Sequence, residues 1–115
     1  MVRRPFPTTT REHWNNVGSL RCMVSGAPNP TLHHVHGGSI LARGIMHGKS
    51  KKPSDALVIP LAAMYHTGDE GVDVIGVTTW EFKYGTQAGM VDRVSEQVGY
   101  DLWELARLWS PSTPG

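Results

Sequence analysis

Three of the chain's six histidines fall within four residues, His33-His34-Val35-His36. Neighbouring side chains on a strand point to opposite faces, so His33 and His34 cannot share one task. A lone histidine pair is most often solvated or hydrogen-bonded structure, and this one gains meaning from two residues further along the chain. Asp55 opens the next strand-like run, and His66 stands on a short helical stretch after that run. Imidazoles move protons near neutral pH, and imidazoles with carboxylates bind divalent ions. Two strands and a helix that converge three such groups form the layout of a ββα-metal nuclease site. One face of the pair binds the ion there, and the other histidine faces the water that attacks a phosphodiester.

The elements that must position these groups can be read along the chain. Residues 1–8 are Pro-rich and basic and read as a tail. Thr9-Thr10-Arg11-Glu12 has capping-box spacing, which predicts a helix from about Thr10 to Val17 with Gly18 as its stop. Leu20–Val24 and Thr31–Val35 flank the turn Ser25–Pro30 and read as a β-hairpin. Residues 36–54 form a long Gly- and Lys-rich loop, in which Gly37-Gly38 marks flexibility. Asp55–Ile59 is the best strand, ending at Pro60, and Leu61–His66 looks helical, with Gly68 limiting that helix. After an irregular stretch, Val77–Tyr84 reads as a helix closed by Gly85. Met90, Val91, Val94 and Val98 share one face of a helix over 87–98. Asp101 and Glu104 have capping spacing ahead of Leu102, Leu105, Ala106 and Trp109, again one face. The expected class is α+β, with one domain over 9–110 and a short tail at 111–115.

Composition bounds the answer. At 115 residues, 39% hydrophobic and 18% charged, the chain holds one globular domain. The longest apolar run, Ala56–Tyr65, contains a proline and is half the ~20 residues a membrane span needs. The N-terminal residues lack an apolar signal region, so the expected location is cytoplasmic. A single cysteine, Cys22, excludes an intramolecular disulfide and an all-cysteine zinc site. The charge is unevenly spread. Residues 1–52 hold eight Arg/Lys and one acid, whereas 53–115 hold three bases and nine acids, giving +7 and −6. Such a division points to polyanion binding on one face, or simply to halves that intermix on folding.

Several blocks in order resemble a known family. They are Cys22-Met-Val-Ser25-Gly-Ala-Pro, His33-His34, Lys52-Pro-Ser54-Asp55-(x)4-Pro60-Leu61, Tyr65-His66 and Trp80-Glu81-(x)3-Gly85-(x)-Gln87. Together, over about residues 20–106, they are similar to the phage Ref-type, RecA-dependent nucleases of the HNH (His-Me finger) superfamily. The resemblance implies His33 as first metal ligand, His34 as general base and His66 as second ligand on the finger helix. Asp55 lies near the place of the middle HNH residue, which orients the base. It also implies DNA as substrate, recombination-linked cutting, RecA filaments as a partner, and the bacterial host's cytoplasm as location.

The departures from that pattern matter equally. Many HNH relatives carry a zinc knuckle of two Cys-x2-Cys/His pairs; the matching positions here are Cys22-x2-Ser25 and Ala62-x2-Tyr65. With three of four ligands gone no structural zinc is expected, and Cys22 becomes a buried small hydrophobe. The last ligand of the catalytic ion falls to Glu70, four residues after His66, or to Asp73. Asp73 follows Gly71-Val72 where Ref-like sequences place a histidine, and it is preferred. One divalent ion is expected, Mg²⁺ or Mn²⁺, with Zn²⁺ the alternative.

Arg43, Lys49, Lys51 and Lys52 are either a solvated face or contacts to DNA phosphates. Trp80, Trp103 and Trp109 read as core or interface, Trp14 has no assigned role, and His13 and His47 read as surface residues. The expected function is a metal-dependent DNA endonuclease. Two other classes stay open: a catalytically decayed HNH-fold DNA-binding or recombination accessory protein, and an interaction module that docks through the Trp103/Trp109 helix.

Overall fold

The computed structural model describes residues 3–44 and 54–109. Among them the chain forms α1 (Thr10–Gly18), β1 (Thr31–His34), α2 (Gly38–Ala42), β2 (Val58–Leu61) and α3 (Ala63–His66). It continues through α4 (Val72–Ile75), α5 (Val77–Tyr84), α6 (Gln87–Val98) and α7 (Leu102–Trp109). The architecture is α+β, with one two-stranded antiparallel sheet and helices packed around it.

The helices set by local signals lie where those signals put them. Thr9 caps α1, its hydroxyl accepting from Glu12 N–H at 3.1 Å, while the Glu12 carboxylate reaches back to Thr8 N–H at 3.0 Å. Thr86 caps α6 by accepting from Gly89 N–H, and left-handed Gly99 (φ 87°) closes it. Asp101 caps α7 through Trp103 N–H at 2.9 Å. The predicted apolar face of α6 is buried in full, together with Leu102, Leu105 and Ala106 of α7.

The sheet departs from expectation. β1 pairs with β2, His33 opposite Ile59 and His34 opposite Val58, and not with residues 20–24. The latter fold into a turn, with Gly26 N–H bonded to Cys22 O and Cys22 N–H to Ala27 O. That turn lies on the other edge of β2, where Met23 N–H reaches Pro60 O at 3.0 Å. β2 wins the pairing because its four residues are all buried, between α1, α3 and α6, which the segment at 20–24 cannot match. Pro60 belongs to the strand and does not end it; lacking an N–H, it serves the outer edge through its carbonyl alone. Asp55 lies outside β2, in the turn that precedes it.

The described beginning of the expected loop contains α2. Gly37 and Gly38 both take positive φ and open α2 instead of marking a flexible stretch. A Cβ on Gly38 would come within 2.8 Å of a Val77 methyl, so glycine here permits close packing on α5. Lys49, Lys51 and Lys52 lie outside the described residues. The expected irregular stretch after His66 contains α4. Of the segment read as a tail, residues 3–8 lie against the domain. Arg4 N–H bonds to Gly99 O at 2.8 Å, Pro7 is buried, and Phe6 meets Tyr100 edge-on. No helix among the described residues is long and apolar enough to cross a membrane.

Candidate metal and catalytic centre

β1 divides its two histidines as strand alternation requires. His33 points inward and is 3% exposed, whereas the His34 side chain keeps 35% of its surface. Each has one main polar partner. His33 Nε2 lies 2.9 Å from Gln87 Oε1 at the start of α6, and His34 Nε2 lies 3.0 Å from Asp55 Oδ1.

His66, the last residue of α3, stands beside His33 with ring centroids 5.1 Å apart. Its Nδ1 lies 2.9 Å from Thr31 Oγ1, at the first residue of β1. Asp73, in the first turn of α4, completes the group: its Oδ2 is 3.8 Å from His66 Nε2 and its Oδ1 is 3.9 Å from His36 Nε2. Ligand atoms of His33, His66 and Asp73 all lie within 4.8 Å of one another. The chain reaches this arrangement through two glycines. At Gly68 a Cβ would lie 2.8 Å from Met64 Cα, and at Gly71 it would lie 2.4 Å from the His66 carbonyl oxygen. Their bare backbones let the segment after α3 fold directly onto it and return Asp73 to His66.

Glu70 is committed elsewhere. Its carboxylate pairs with Lys83 and the Tyr84 hydroxyl on α5, and both partners hold its pKa below the usual carboxylate range. Of the two candidates for the last ligand, the structure brings Asp73 to the histidines.

Burial dominates the electrostatics of the inner histidines. It pushes the His33 pKa down to about 4; the Gln87 hydrogen bond and the Asp73 charge oppose this, while repulsion from His66 and His36 adds to it. His66 is lowered as well, by burial first, with Asp73 opposing and His34 adding repulsion. Both imidazoles are therefore neutral at physiological pH, the form that ligates metals.

Four contributors have no role that spacing or periodicity assigns. His36 comes near His33 (ring centroids 5.7 Å) because β1 stops at His34 and the chain then turns at Gly37. Gln87 was visible only as part of a family-like block, and Thr31 carried no signal. Trp14 donates Nε1–H to Asp55 O at 2.9 Å and meets His34 edge-on at 5.6 Å, so it packs against the outer pair. Arg43 pairs with Asp92 at 2.7 Å and lies over the Trp103 ring; neither partner belongs to the histidine cluster. His13, expected at the surface, is fully buried between Tyr100 OH and Ala56 O. Cys22 is buried as expected, its thiol beside the backbone of Ala62 and accepting from Ser25 N–H at 3.4 Å.

The residues present fit a divalent ion. Two neutral imidazoles and a carboxylate bring their ligand atoms within 4.8 Å of one another. Asp73 is about half exposed and leaves the cluster open to solvent on one side. No family model, curated protein or solved structure gives a significant match to this chain.

Proposed function

We propose that this chain is a metal-dependent phosphodiesterase acting on DNA, an endonuclease of the His-Me finger type. The observation that carries the reading is the cluster of His33, His66 and Asp73 beside the outer pair His34–Asp55. The order β1, β2, α3, with the histidine pair on the first strand and His66 on the helix, supports a ββα-metal core. The Ref-like blocks of the sequence support it further, and they are the sole ground for naming RecA filaments as a partner.

Each side chain has a definable task in such a reaction. His33, His66 and Asp73 would hold the ion; two imidazoles with one carboxylate suit Mn²⁺ or Zn²⁺ better than Mg²⁺. Bound there, a divalent ion supplies Lewis-acid stabilisation of the charge that builds on the phosphate and the leaving oxygen. With Nε2–H given to Asp55, His34 would keep its Nδ1 lone pair to take a proton from the attacking water. Asp55 would fix the ring and stabilise the imidazolium as it forms, and Trp14 meets that ring edge-on while donating to Asp55 O. The basic N-terminal half supplies the charge that attracts the DNA backbone.

The test is cleavage of plasmid and oligonucleotide DNA by purified protein with Mg²⁺, Mn²⁺ or Zn²⁺, with and without RecA filaments. Cutting that needs the metal and disappears in both His34→Ala and His66→Ala supports the reading. Metal-independent cutting, or cutting retained by both variants, removes it. Tight DNA binding without cutting under any of these conditions would favour the decayed accessory protein.

A further inference from the structure

Gln87 is fully buried, and its partners alone orient its amide. Nε2 donates to His36 O at 2.8 Å while Oε1 accepts from His36 N–H at 3.3 Å. The flipped amide would set N–H against N–H and oxygen against oxygen. Oε1 is thus an acceptor towards His33 as well, and His33 Nε2, 2.9 Å away, carries the proton. The His33 lone pair is left on Nδ1.

The hydroxyl of Thr31 performs the converse task at His66. Its single proton goes to Leu61 O at 2.8 Å, so towards His66 Nδ1, at 2.9 Å, the oxygen accepts. His66 therefore carries its proton on Nδ1 and its lone pair on Nε2, the atom that lies 3.8 Å from Asp73 Oδ2. Each imidazole spends its only proton on a partner outside the cluster.

We propose that Gln87 and Thr31 are positioning residues that hold His33 and His66 in opposite tautomers, and that Thr31 thereby turns the His66 Nε2 lone pair towards a divalent transition-metal ion beside Asp73. The inference rests on the metal-dependent reading above and names what makes that site competent. An imidazole in the wrong tautomer would aim an N–H at the ion. His66 is the more sensitive of the two, because a free histidine side chain favours the Nε2–H form and reverts to it without an acceptor at Nδ1. Loss of an outer partner of this kind typically lowers metal affinity ~10–100-fold.

The experiment uses the full chain, ¹⁵N-labelled and metal-free, at ~pH 8 where imidazoles are neutral. Long-range ¹H–¹⁵N spectra assign the tautomers, and calorimetric titration with Zn²⁺ alone gives the affinity. Wild type should show His33 as Nε2–H and His66 as Nδ1–H. Thr31→Val should move His66 to Nε2–H and weaken Zn²⁺ binding ~10-fold or more, and Thr31→Ser should restore both. Gln87→Leu, which removes the acceptor at His33 Nε2, should release the His33 tautomer. Thr31 is exposed, so its variants decide the matter if Gln87→Leu fails to fold. Zn²⁺ binding by Thr31→Val at wild-type affinity, or wild-type His66 found as Nε2–H, overturns this inference while the metal reading stands. Wild-type protein that takes up no Zn²⁺ overturns both.

Discussion

His34 Nε2 lies 3.0 Å from Asp55 Oδ1, although the two residues belong to different kinds of structure. His34 ends a strand, and Asp55 sits in the turn ahead of the next. The pairing follows from the antiparallel register. His34 stands opposite Val58, so the chain that enters β2 must pass beside the His34 ring. A carboxylate three residues before Val58 is within reach of the imidazole without belonging to the ladder.

That geometry makes His34 the residue whose loss should matter most to chemistry and least to structure. His34→Ala should lower metal-dependent cleavage by ~10²–10⁴, the usual worth of a general base, with metal affinity and melting temperature near wild type. Asp55→Asn should show a smaller loss, because the ring keeps a hydrogen-bond acceptor. Rates measured under single-turnover conditions, alongside a Zn²⁺ titration, check both parts. A His34→Ala protein that cuts at the wild-type rate would remove His34 from the mechanism.

Gly71 carries a second prediction. Its φ of −76° suits any residue, so conformational freedom does not explain the glycine. The constraint is steric: a Cβ would lie 2.4 Å from the His66 carbonyl oxygen and 2.8 Å from that of Gly68. Both atoms are backbone and cannot swing aside. Gly71→Ala should therefore destabilise the fold by ~1–3 kcal/mol and, by displacing Asp73 from His66, weaken Zn²⁺ binding. Urea unfolding and calorimetry would measure the two effects; neither changing would mean that the segment relaxes freely.

Buried His13 gives the fold a pH dependence independent of the metal site. Its Nε2–H donates to Ala56 O at 2.9 Å, its Nδ1 accepts from Tyr100 OH at 2.7 Å, and Trp109 packs against its ring. Burial lowers its pKa from 6.5, with the Ala56 hydrogen bond opposing. The unfolded chain then binds a proton at a pH where the folded chain does not. Stability from this group is complete above pH ~6.5 and falls as pH drops from there towards the folded pKa. Melting curves between pH 8 and 5 should show a downward slope that is shallower in His13→Gln. Equal slopes in the two proteins would exclude His13 as a contributor. His33 and His66, also lowered, keep some slope in either case.

What could be read from the sequence separates along physical lines. α1, α5, α6 and α7 were legible because caps and 3.6-residue periodicity are local properties, written within one or two turns of the residues concerned. The partner of β1 was not, since strand pairing is settled by burial across the whole chain. Leu20–Val24 looked as good a neighbour as β2 until the helices covering β2 were known. α2 and α4 span only five and four residues, too few to show a period. At the site, strand alternation correctly separated His33 from His34. The same rule would place His36 with His34, but the strand stops before it, and His36 meets Asp73 instead. His13 looked like a surface residue because the groups that satisfy it come from positions 43 and 87 residues away.

The last prediction concerns Lys49, Lys51 and Lys52, which lie outside the described residues and enter through their place in the sequence. They fall in the connection from β1 to β2, and His34 at the end of β1 and Asp55 in the turn ahead of β2 flank them in the sequence. Arg43, on the same connection, already has Asp92 as a partner, so the prediction is placed on the lysines. Changing all three to Ala should weaken binding about equally on unrelated DNA sequences. It should also flatten the dependence of log affinity on log salt, by up to ~0.9 per lost contact on duplex DNA or ~0.7 on single strands. Cleavage of DNA already bound should slow far less than binding weakens, because no residue of the cluster or of the outer pair is altered. A salt titration on two unrelated duplexes and one single strand, for wild type and triple variant, makes the comparison. Both the nuclease and the accessory-protein readings require the slope to change. An unchanged slope and affinity would make this segment a solvated surface, and the +7 charge of residues 1–52 would need another explanation.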